Sequence, residues 1–524
     1  MDKRAIIAVV LSIAFFYAYY LVFPPAKEVT KQLPGQVVVS SATTAAVKPA
    51  VQLPVATAVT LTAHDVLVET DYYRAVFSSE GASLKSLVLK KFQETNTTPG
   101  KPVALISENN PAGFMLKTSA TGFSLPASAI YSSNAGSIHL KKGERKPLVF
   151  RYNSPLGYVV EKSYIFSGDG YGIDLNTQIR NSGTQKLAGS LELVLPYLVG
   201  DKEVQSRFEI SGPVTLTDNK LKVDTLKDLD KNGKKYEKVT WTGFADKYFL
   251  SAVLTRDASI ESVNIRNGAA NYIDSIVVSP AFSLQEGQSF TITQKLFFGP
   301  KDLDILKAQG SNLEQVLDLG WFSSLARPLL YILKYFYQYT HNYGFAIIII
   351  TIILKILFFP LTHKSYKSMK EMQKLQPKLL DLKEKYKDDR EGLNRSTMEM
   401  YKTHKVNPLG GCLPMVVQIP VFFALYKALM SSIELRHAPF ILWITDLSAK
   451  DPYYVTPVIM GATMFIQQKM TPSTMDPMQA KMMLALPVVF TFMFLNFPSG
   501  LVIYWLVNNI LTIAQQAYIN KQLD

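Results

Sequence analysis

The stretch GFAIIIITIILKILFFPL at residues 344–361 decides the fold class, because it is apolar over its whole length and contains a single charged residue. A helix rises 1.5 Å per residue, so this stretch spans ~27 Å, close to the ~30 Å hydrocarbon core of a bilayer. Four similar stretches follow, at residues 413–432, 453–470, 482–497 and 501–518. The sequence therefore predicts a core of five transmembrane helices over residues 344–518.

Another uncharged apolar segment lies near the N-terminus, at residues 5–23. Lys3 and Arg4 precede it, and aromatic residues crowd its C-terminal end. Aromatic residues are typical of a membrane interface, whereas a signal peptide ends in small residues at a cleavage site. We expect an uncleaved transmembrane anchor over residues 1–23. A flexible linker rich in Pro, Ala, Val and Thr is expected over residues 24–60.

Residues 61–318 have the pattern of an exported domain built from strands. Strand-like stretches such as 65–71, 191–195 and 290–296 are separated by Gly, Asn, Asp and Ser, and helical periodicity is scarce before Leu303. The pattern predicts a large periplasmic β-sandwich. No HExxH, Walker A or GxSxG motif occurs. A folding or docking module without chemistry is the favoured interpretation, and a carbohydrate-active sandwich is the alternative.

Residues 319–343 have the pattern of an amphipathic helix. Apolar side chains share one face of it: Leu325, Leu329, Ile332 and Phe336. Polar side chains fall near the opposite face: Arg327, Lys334, Gln338 and His341. This pattern predicts a periplasmic helix that lies in the membrane–water interface. An ordinary surface helix of the exported domain is the alternative.

The distribution of positive charge orients the spans. The loop at residues 363–407 contains twelve Lys or Arg residues, whereas residues 431–452 contain two and the turn at residues 497–500 contains none. Basic loops remain in the cytoplasm. With Lys3, Arg4 and Lys521 also inside, six spans alternate without conflict. We expect a multi-pass protein of the bacterial inner membrane with both termini in the cytoplasm, including a short tail at residues 519–524.

The basic loop at residues 363–407 also carries an apolar stripe of helical spacing: Met369, Met372, Leu375, Leu379, Leu382 and Tyr386. Pro377 should kink this helix, and residues 388–392 read as a turn before a return helix. A cytoplasmic helical hairpin is therefore predicted. Its net charge is +5, from twelve basic and seven acidic residues. That charge favours either topology control with anionic lipid contact, or docking to ribosomal RNA or a partner protein.

Lys355 is the charged residue of the first core span. A charge at mid-bilayer costs ~2.5–3.5 kcal/mol on insertion scales. None of the five predicted core spans contains Asp or Glu, which excludes an intramembrane salt bridge and an acid-based proton relay. Two interpretations remain: Lys355 reaches the cytoplasmic interface with its long side chain, or it faces a water-filled cavity open to the cytoplasm.

Other polar residues in the spans favour the cavity. Thr351 lies one turn before Lys355, and the last span carries a polar stripe that includes Gln515 or Gln516. An interhelical hydrogen bond would explain each amide alone, but an unpaired lysine beside them indicates a shared hydrated pocket. Six residues are predicted to form this groove: Lys355, Thr351, Gln418, Asn508, Thr512 and Tyr504.

Composition restricts the chemistry further. Cys412 is the one cysteine, so no intrachain disulfide can form, and a free thiol in an apolar segment is typically a packing residue. The chain has a net charge of +13, of which +5 lies in the loop at residues 363–407, and this position favours anionic lipid over DNA. No cofactor, metal or enzyme activity is expected. A solute transporter or channel is the alternative class, although inverted repeats and ion-coupling carboxylates are not recognised.

Short motifs recur along nearly the whole chain: GFADKYF at residues 243–249, FGPK at 298–301, NPLGGCLP at 407–414, QIP at 418–420, DPYY at 451–454, MFIQQKM at 464–470, DPM at 476–478 and FPSG at 497–500. At this spacing they resemble the YidC/Oxa/Alb membrane protein insertase family, in its Gram-negative YidC form.

The resemblance implies a periplasmic β-sandwich, a five-helix core and a hydrophilic groove that is open to the cytoplasm and to lipid but closed to the outside. It implies an essential positive residue, usually arginine, at the place of Lys355; lysine keeps the charge but lacks the bidentate fork. It further implies insertion and folding of nascent inner-membrane proteins, alone or with the Sec translocon, and contact with the ribosome. Because residues 519–524 are short and barely basic, the basic hairpin is the expected ribosome contact.

Overall fold

The computed structural model describes residues 62–523, apart from residues 97–99, 109–113, 199–210, 226–227, 230–232, 257–258, 269–271, 318, 387–388, 405, 407–412 and 472–476. The predicted anchor, the linker and Cys412 lie outside the described residues. The chain divides into two compact units. Residues 62–91, 104–245 and 251–298 form a strand-rich unit, and residues 92–103, 246–250 and 299–523 form a helical unit.

The strands alternate between inward and outward side chains wherever one face is buried, as the period of two requires. Tyr158–Ser167 is the clearest case, since every second residue is buried. The strands are β1 Asp65–Glu69, β2 Tyr73–Ser78, β3 Ser83–Gln93, β4 Pro102–Ile106, β5 Lys117–Thr121, β6 Ser132–Ser133, β7 Ser137–His139, β8 Arg145–Asn153, β9 Tyr158–Ser167, β10 Gly172–Asn181, β11 Leu187–Leu198, β12 Gly212–Thr217, β13 Lys220–Val223, β14 Lys234–Glu237, β15 Val239–Ala245, β16 Phe249–Thr255, β17 Ser262–Asn267, β18 Tyr272–Val278, β19 Phe282–Leu284 and β20 Ser289–Pro300.

These strands pair into three sheets, of order β4-β3-β2-β1-β7, β13-β12-β15-β16-β20-β10-β9-β8-β6 and β14-β17-β18-β11-β19, with β5 also paired to β11. The nine-stranded sheet faces both of the others. Phe77 of β2 packs on Tyr164 of β9 with ring centroids 4.7 Å apart, and Thr242 of β15 contacts Ser275 of β18 at 3.3 Å. The predicted strand-rich domain is confirmed. β16 buries six consecutive residues, so both of its faces are covered.

One inward position of β9 is occupied by a lysine. The side chain of Lys162 is fully buried, and its Nζ donates hydrogen bonds to the backbone oxygens of Leu116, at 2.6 Å, and Gly81, at 3.4 Å. Burial lowers the pKa of this ammonium to about 7. Lys162 therefore joins two turns beneath the sheet at the cost of desolvating its charge.

The described part of the helical unit holds nine α-helices: α1 Leu303–Gln309, α2 Ser323–Thr340, α3 Tyr343–Lys374, α4 Gln376–Lys385, α5 Arg390–Thr403, α6 Leu413–Ser431, α7 Val455–Met470, α8 Pro477–Phe494 and α9 Ser499–Leu523. Among the described residues, α3 is the one helix whose length and apolar composition are both sufficient to cross a membrane. Shorter apolar segments lie in α6, at Val416–Ser431, and in α8, at Met482–Phe494.

Several helix ends differ from the predicted spans. α3 continues to Lys374 despite Pro360, because residues 361–374 contain neither glycine nor proline. α9 continues to Leu523, so residues 519–523, predicted as a short cytoplasmic tail, extend the last helix; this segment likewise lacks a helix breaker. α8 begins at Pro477, a favoured first helical residue, and ends at Phe494, earlier than predicted. α4 and α5 lie within residues 363–407, where the sequence predicts a hairpin, and Pro377 lies in the first turn of α4.

The buried face of α2 differs from the predicted one. The exposed fractions of Leu325 and Ile332, both assigned to the apolar face, are 43% and 38%. The buried side chains are Ala326, Leu329, Leu330 and Leu333. The protein-packed face is shifted from the predicted apolar face because α2 packs against two helices, α3 and α6, and the periodicity of one sequence segment does not reveal where two neighbours lie.

Candidate functional site

A groove in the helical unit is lined by side chains of three helices that are distant in sequence. The residues that line it are Thr351, Leu354, Lys355, Phe358, Leu361 and Thr362 from α3, Val417, Gln418 and Val421 from α6, and Tyr504 and Asn508 from α9. Five of the six residues nominated from the sequence are among them. The sixth, Thr512, joins the group through a hydrogen bond from Lys355.

Lys355 reaches across the groove to α9. Its Nζ donates a hydrogen bond to Oγ1 of Thr512 at 2.7 Å, and this hydroxyl donates in turn to the backbone oxygen of Asn508 at 2.6 Å. Thr512 is buried, whereas Lys355 is half-buried. An ammonium has three donors and the bond to Thr512 uses one of them. The other two have no partner among the described residues and are available to water or to a polar group that enters the groove.

The other polar side chains form the walls. Oγ1 of Thr351 donates to the backbone oxygen of Ile347 at 2.7 Å, so this hydroxyl is occupied on its own helix. The side chains of Gln418 and Tyr504 line the groove from α6 and α9. Gln418 is half-buried and Tyr504 is buried. The amide of Gln418 is consequently the more accessible of the two groups.

Sequence reasoning missed several groove residues on α3, including Phe358 and Thr362. The sequence contained the pattern that would have identified them. Residues 351, 355, 358 and 362 are spaced by four, three and four, and side chains at these spacings share one face of a helix. Oγ1 of Thr362 donates to the backbone oxygen of Phe358 at 2.9 Å, one turn earlier. The groove face of α3 thus continues about two turns beyond Lys355.

The polar side chains predicted to form one stripe on α9 contact two different helices, α3 and α7. Nδ2 of Asn509 lies 3.3 Å from Oγ1 of Thr463, and Nε2 of Gln516 donates to the backbone oxygen of Met470 at 2.5 Å, so these two side chains face α7. The buried amide atoms of Gln515 have no hydrogen-bond partner among the described residues. Each residue advances a helix by about 100°, so adjacent polar residues cannot share one face.

The helix ends meet on two sides of the unit. The loop at residues 432–454 bonds to the starts of α3, α7 and α9: Asn342 Nδ2 to Phe440 O at 2.9 Å, Thr456 N to Asp451 Oδ2 at 2.8 Å, and Ser499 N to Ala449 O at 2.7 Å. On the other side, Lys370 Nζ of α3 lies 3.4 Å from Asn520 O of α9. These three helices therefore run in the same direction, and α6 and α8 return between them.

Lys334 of α2 lies at the centre of an acidic cluster. Its Nζ is 2.9 Å from Asp302, 2.7 Å from Asp304 and 2.9 Å from Glu434. Burial alone would lower the pKa of this ammonium, but attraction to Glu434 and hydrogen bonds to all three carboxylates raise it above its usual range. Within the described ranges no group of three or more His, Cys, Asp or Glu side chains could hold a metal ion. The cluster ties α2 to the start of α1 and to the segment after α6.

Comparison with known proteins identifies the family. Residues 335–524 match the family described as 60Kd inner membrane protein, and residues 65–332 match the YidC periplasmic domain. Over 528 residues the chain is 57% identical to the membrane protein insertase YidC of Geotalea uraniireducens, and the alignment covers 100% of both chains. This chain belongs to the YidC family of membrane protein insertases. The YidC insertases of Geobacter metallireducens and Syntrophus aciditrophicus are 56% and 45% identical, with 100% of this chain and 99% and 100% of theirs covered.

Membership of the YidC family establishes the general function. The chain is a membrane protein insertase of the bacterial inner membrane with a periplasmic domain. The resemblance read from the sequence motifs is confirmed. A solved structure described as an active YidC insertase with its first transmembrane domain resolved aligns with a TM-score of 0.37 at 18% identity, over 86% of this chain and 91% of that chain.

Proposed function

We propose that this insertase acts through the groove formed by α3, α6 and α9. A polar segment of a nascent membrane protein enters it from the cytoplasm, and the polar groove residues replace part of the water that this segment loses. The apolar helix of the substrate then slides along α3 and α6 into lipid, where its burial is favourable. The observation that carries the proposal is the bond from Lys355 to Thr512, because it holds a cation inside the groove wall without a carboxylate partner among the described residues.

The charge of Lys355 supplies selectivity in this scheme. It attracts acidic residues in the translocated segment, which lack water inside the groove. The membrane potential contributes ~2.3 kcal/mol per charge per 100 mV. The sequence has no nucleotide-binding motif, so the energy is assigned to burial and potential and not to ATP. Lys355, in place of the family's usual arginine, provides the positive charge but cannot pair with a carboxylate through two parallel hydrogen bonds.

The proposed topology has five core spans, an N-terminal anchor and both termini in the cytoplasm. The common direction of α3, α7 and α9 supports it, and so does the basic loop that contains α4 and α5. Exposed apolar residues of α3 suit contact with lipid: Ile352, Ile353, Ile356 and Leu357. The groove would then open towards the cytoplasmic ends of these helices.

The basic hairpin is the proposed contact for the ribosome and for anionic lipids. Nζ of Lys378 in α4 lies 3.2 Å from Nε2 of His404, the residue after α5, and this contact braces the hairpin. Its net charge of +5 favours phosphate groups, which both partners present. Cooperation with the Sec translocon is proposed from family membership.

The test replaces Lys355 by Ala, Glu and Arg in the full-length chain reconstituted in liposomes. We expect insertion of a short-tailed substrate with acidic residues to be lost in the Ala and Glu variants and retained in the Arg variant. Lys521→Ala is the matched control, because Lys521 is exposed at the end of α9. Normal insertion of every substrate by both the Ala and Glu variants would disprove the role of the groove charge.

A further inference from the structure

A tight turn at residues 440–444 exposes two apolar side chains at its apex. The backbone N–H of Phe440 donates to Ile444 O at 2.9 Å, and the N–H of Ile444 donates to Ile441 O at 3.2 Å. Ile441 and Leu442 between them are 46% and 81% exposed, and Leu442 is the most exposed large apolar residue in the described part of the chain. Leu442 also has a φ of 54°, a left-handed conformation that leucine rarely adopts. The fold therefore holds apolar groups outward in a strained turn.

The turn is held on both sides by the starts of two helices. The backbone oxygen of Phe440 accepts a hydrogen bond from Asn342, the N-cap of α3, and its ring packs on Phe345 with centroids 5.4 Å apart. On the other side, Nε1 of Trp443 donates to Asp451 at 3.0 Å, and the buried Asp451 also accepts from the backbone and hydroxyl of Thr456 in α7. The apex is consequently a fixed projection and not a loose loop.

The surface beside the apex has the chemistry of a membrane interface. The ring of Trp443 packs against Tyr453, which is 68% exposed, and Nζ of Lys450 lies 3.1 Å from the hydroxyl of Tyr454. Aromatic side chains are enriched at the depth of lipid headgroups, and a lysine there can direct its ammonium to phosphate. The apolar surface continues onto α7, whose exposed residues include Val458 and Ile459, at 56% and 46%. Surface that continues onto a helix of the membrane core favours lipid as the occupant.

We propose that the turn at residues 440–444 inserts Ile441 and Leu442 into the outer leaflet of the phospholipid bilayer, and so anchors the loop between α6 and α7 at the membrane surface. The proposal rests on the proposed topology, which puts this loop on the periplasmic side, and it does not depend on the charge of Lys355. Because the turn is braced on α3 and α7, its insertion would fix the depth of those helix starts in the bilayer.

The test uses the full-length chain with Cys412→Ser, so that Leu442→Cys carries a single polarity-sensitive fluorophore in liposomes of phosphatidylethanolamine and phosphatidylglycerol. We expect a blue-shifted emission, at least about twofold quenching by lipids spin-labelled near the headgroup, and little quenching by aqueous iodide. The matched control is Leu156→Cys, because Leu156 is 68% exposed in the strand-rich unit. It should respond to iodide and not to spin-labelled lipid. Equal behaviour of the two sites would overturn the proposal.

A second measurement separates this proposal from the topology on which it rests. Lys450→Cys in the same background is treated on intact spheroplasts with a membrane-impermeant thiol reagent. Labelling from outside, together with lipid quenching at position 442, supports insertion into the outer leaflet. Labelling only after lysis would show that the loop is cytoplasmic, which overturns the outer-leaflet proposal and the proposed topology together. Labelling from outside without lipid quenching at position 442 would overturn the anchor alone.

Discussion

Nζ of Lys355 lies 2.7 Å from Oγ1 of Thr512, although 157 residues separate them in the chain. The bond turns the lysine towards α9, across the groove. A free lysine side chain in a membrane span extends towards the nearest interface. Thr512 is therefore the residue that keeps the ammonium in the groove, and several consequences can be measured.

Thr512→Val removes the hydroxyl but keeps the volume of the side chain. A hydrogen bond to a charged group contributes about 1.5–3 kcal/mol, so the ammonium should leave its position in the groove for the interface. We expect the initial rate of insertion of a substrate with an acidic tail to fall up to about tenfold in proteoliposomes. Thr512→Ser keeps the hydroxyl and should restore the rate. An unchanged rate in the valine variant would mean that Thr512 does not position Lys355.

Gln418→Leu replaces the accessible amide of α6 by an apolar side chain of similar size. The groove wall then offers one polar group fewer to an entering segment, and uncompensated desolvation costs about 1–3 kcal/mol. We expect slower insertion of substrates with polar tails and no change for a substrate whose translocated segment is apolar. Gln522→Leu, at the exposed end of α9, is the control. The prediction fails if both substrates are inserted equally fast by the Gln418 variant.

Lys334→Met leaves three carboxylates without their cation. The side chains of Lys334, Asp302 and Glu434 are only 14–20% exposed, so removal of the cation should destabilise the helical unit by about 1–3 kcal/mol. The expected result is a thermal midpoint several degrees lower in detergent, with partial rescue by Lys334→Arg. Lys235→Met removes a comparable pair with Glu237, but both partners of that pair are more than half exposed. This control should melt like the wild type.

Lys162 makes the stability of the strand-rich unit depend on pH. Its pKa is about 7 when folded and about 10.4 in an unfolded chain, so the unfolded state binds more protons between these values. Stability should then rise with pH from 7 to 9, by up to about 1.4 kcal/mol per unit. Urea denaturation of the wild type and of Lys162→Met at both pH values measures the difference. Lys222→Met, on the exposed strand β13, should keep the wild-type pH dependence.

Much of the fold follows from local patterns in the sequence. The apolar stretch at residues 344–361 indicates a membrane helix because its length matches a bilayer. The alternation in β9 indicates a strand with one buried face. The groove residues on α3 could be nominated because Thr351 and Lys355 are one turn apart and polar residues are costly in a membrane span. Spaced motifs along the chain were sufficient to recognise the family.

Contacts between distant segments were decided by the tertiary structure. The sequence placed Lys334 on the polar face of α2, but only packing brought Asp302 and Glu434 to it from two other segments. The sequence also predicted a polar stripe on α9. Only the tertiary structure shows that Gln516 bonds to α7, whereas Thr512 bonds to Lys355 of α3. Periodicity fixes which residues share a face of one element. Which neighbour that face meets depends on how all the elements pack together, and local sequence does not contain that information.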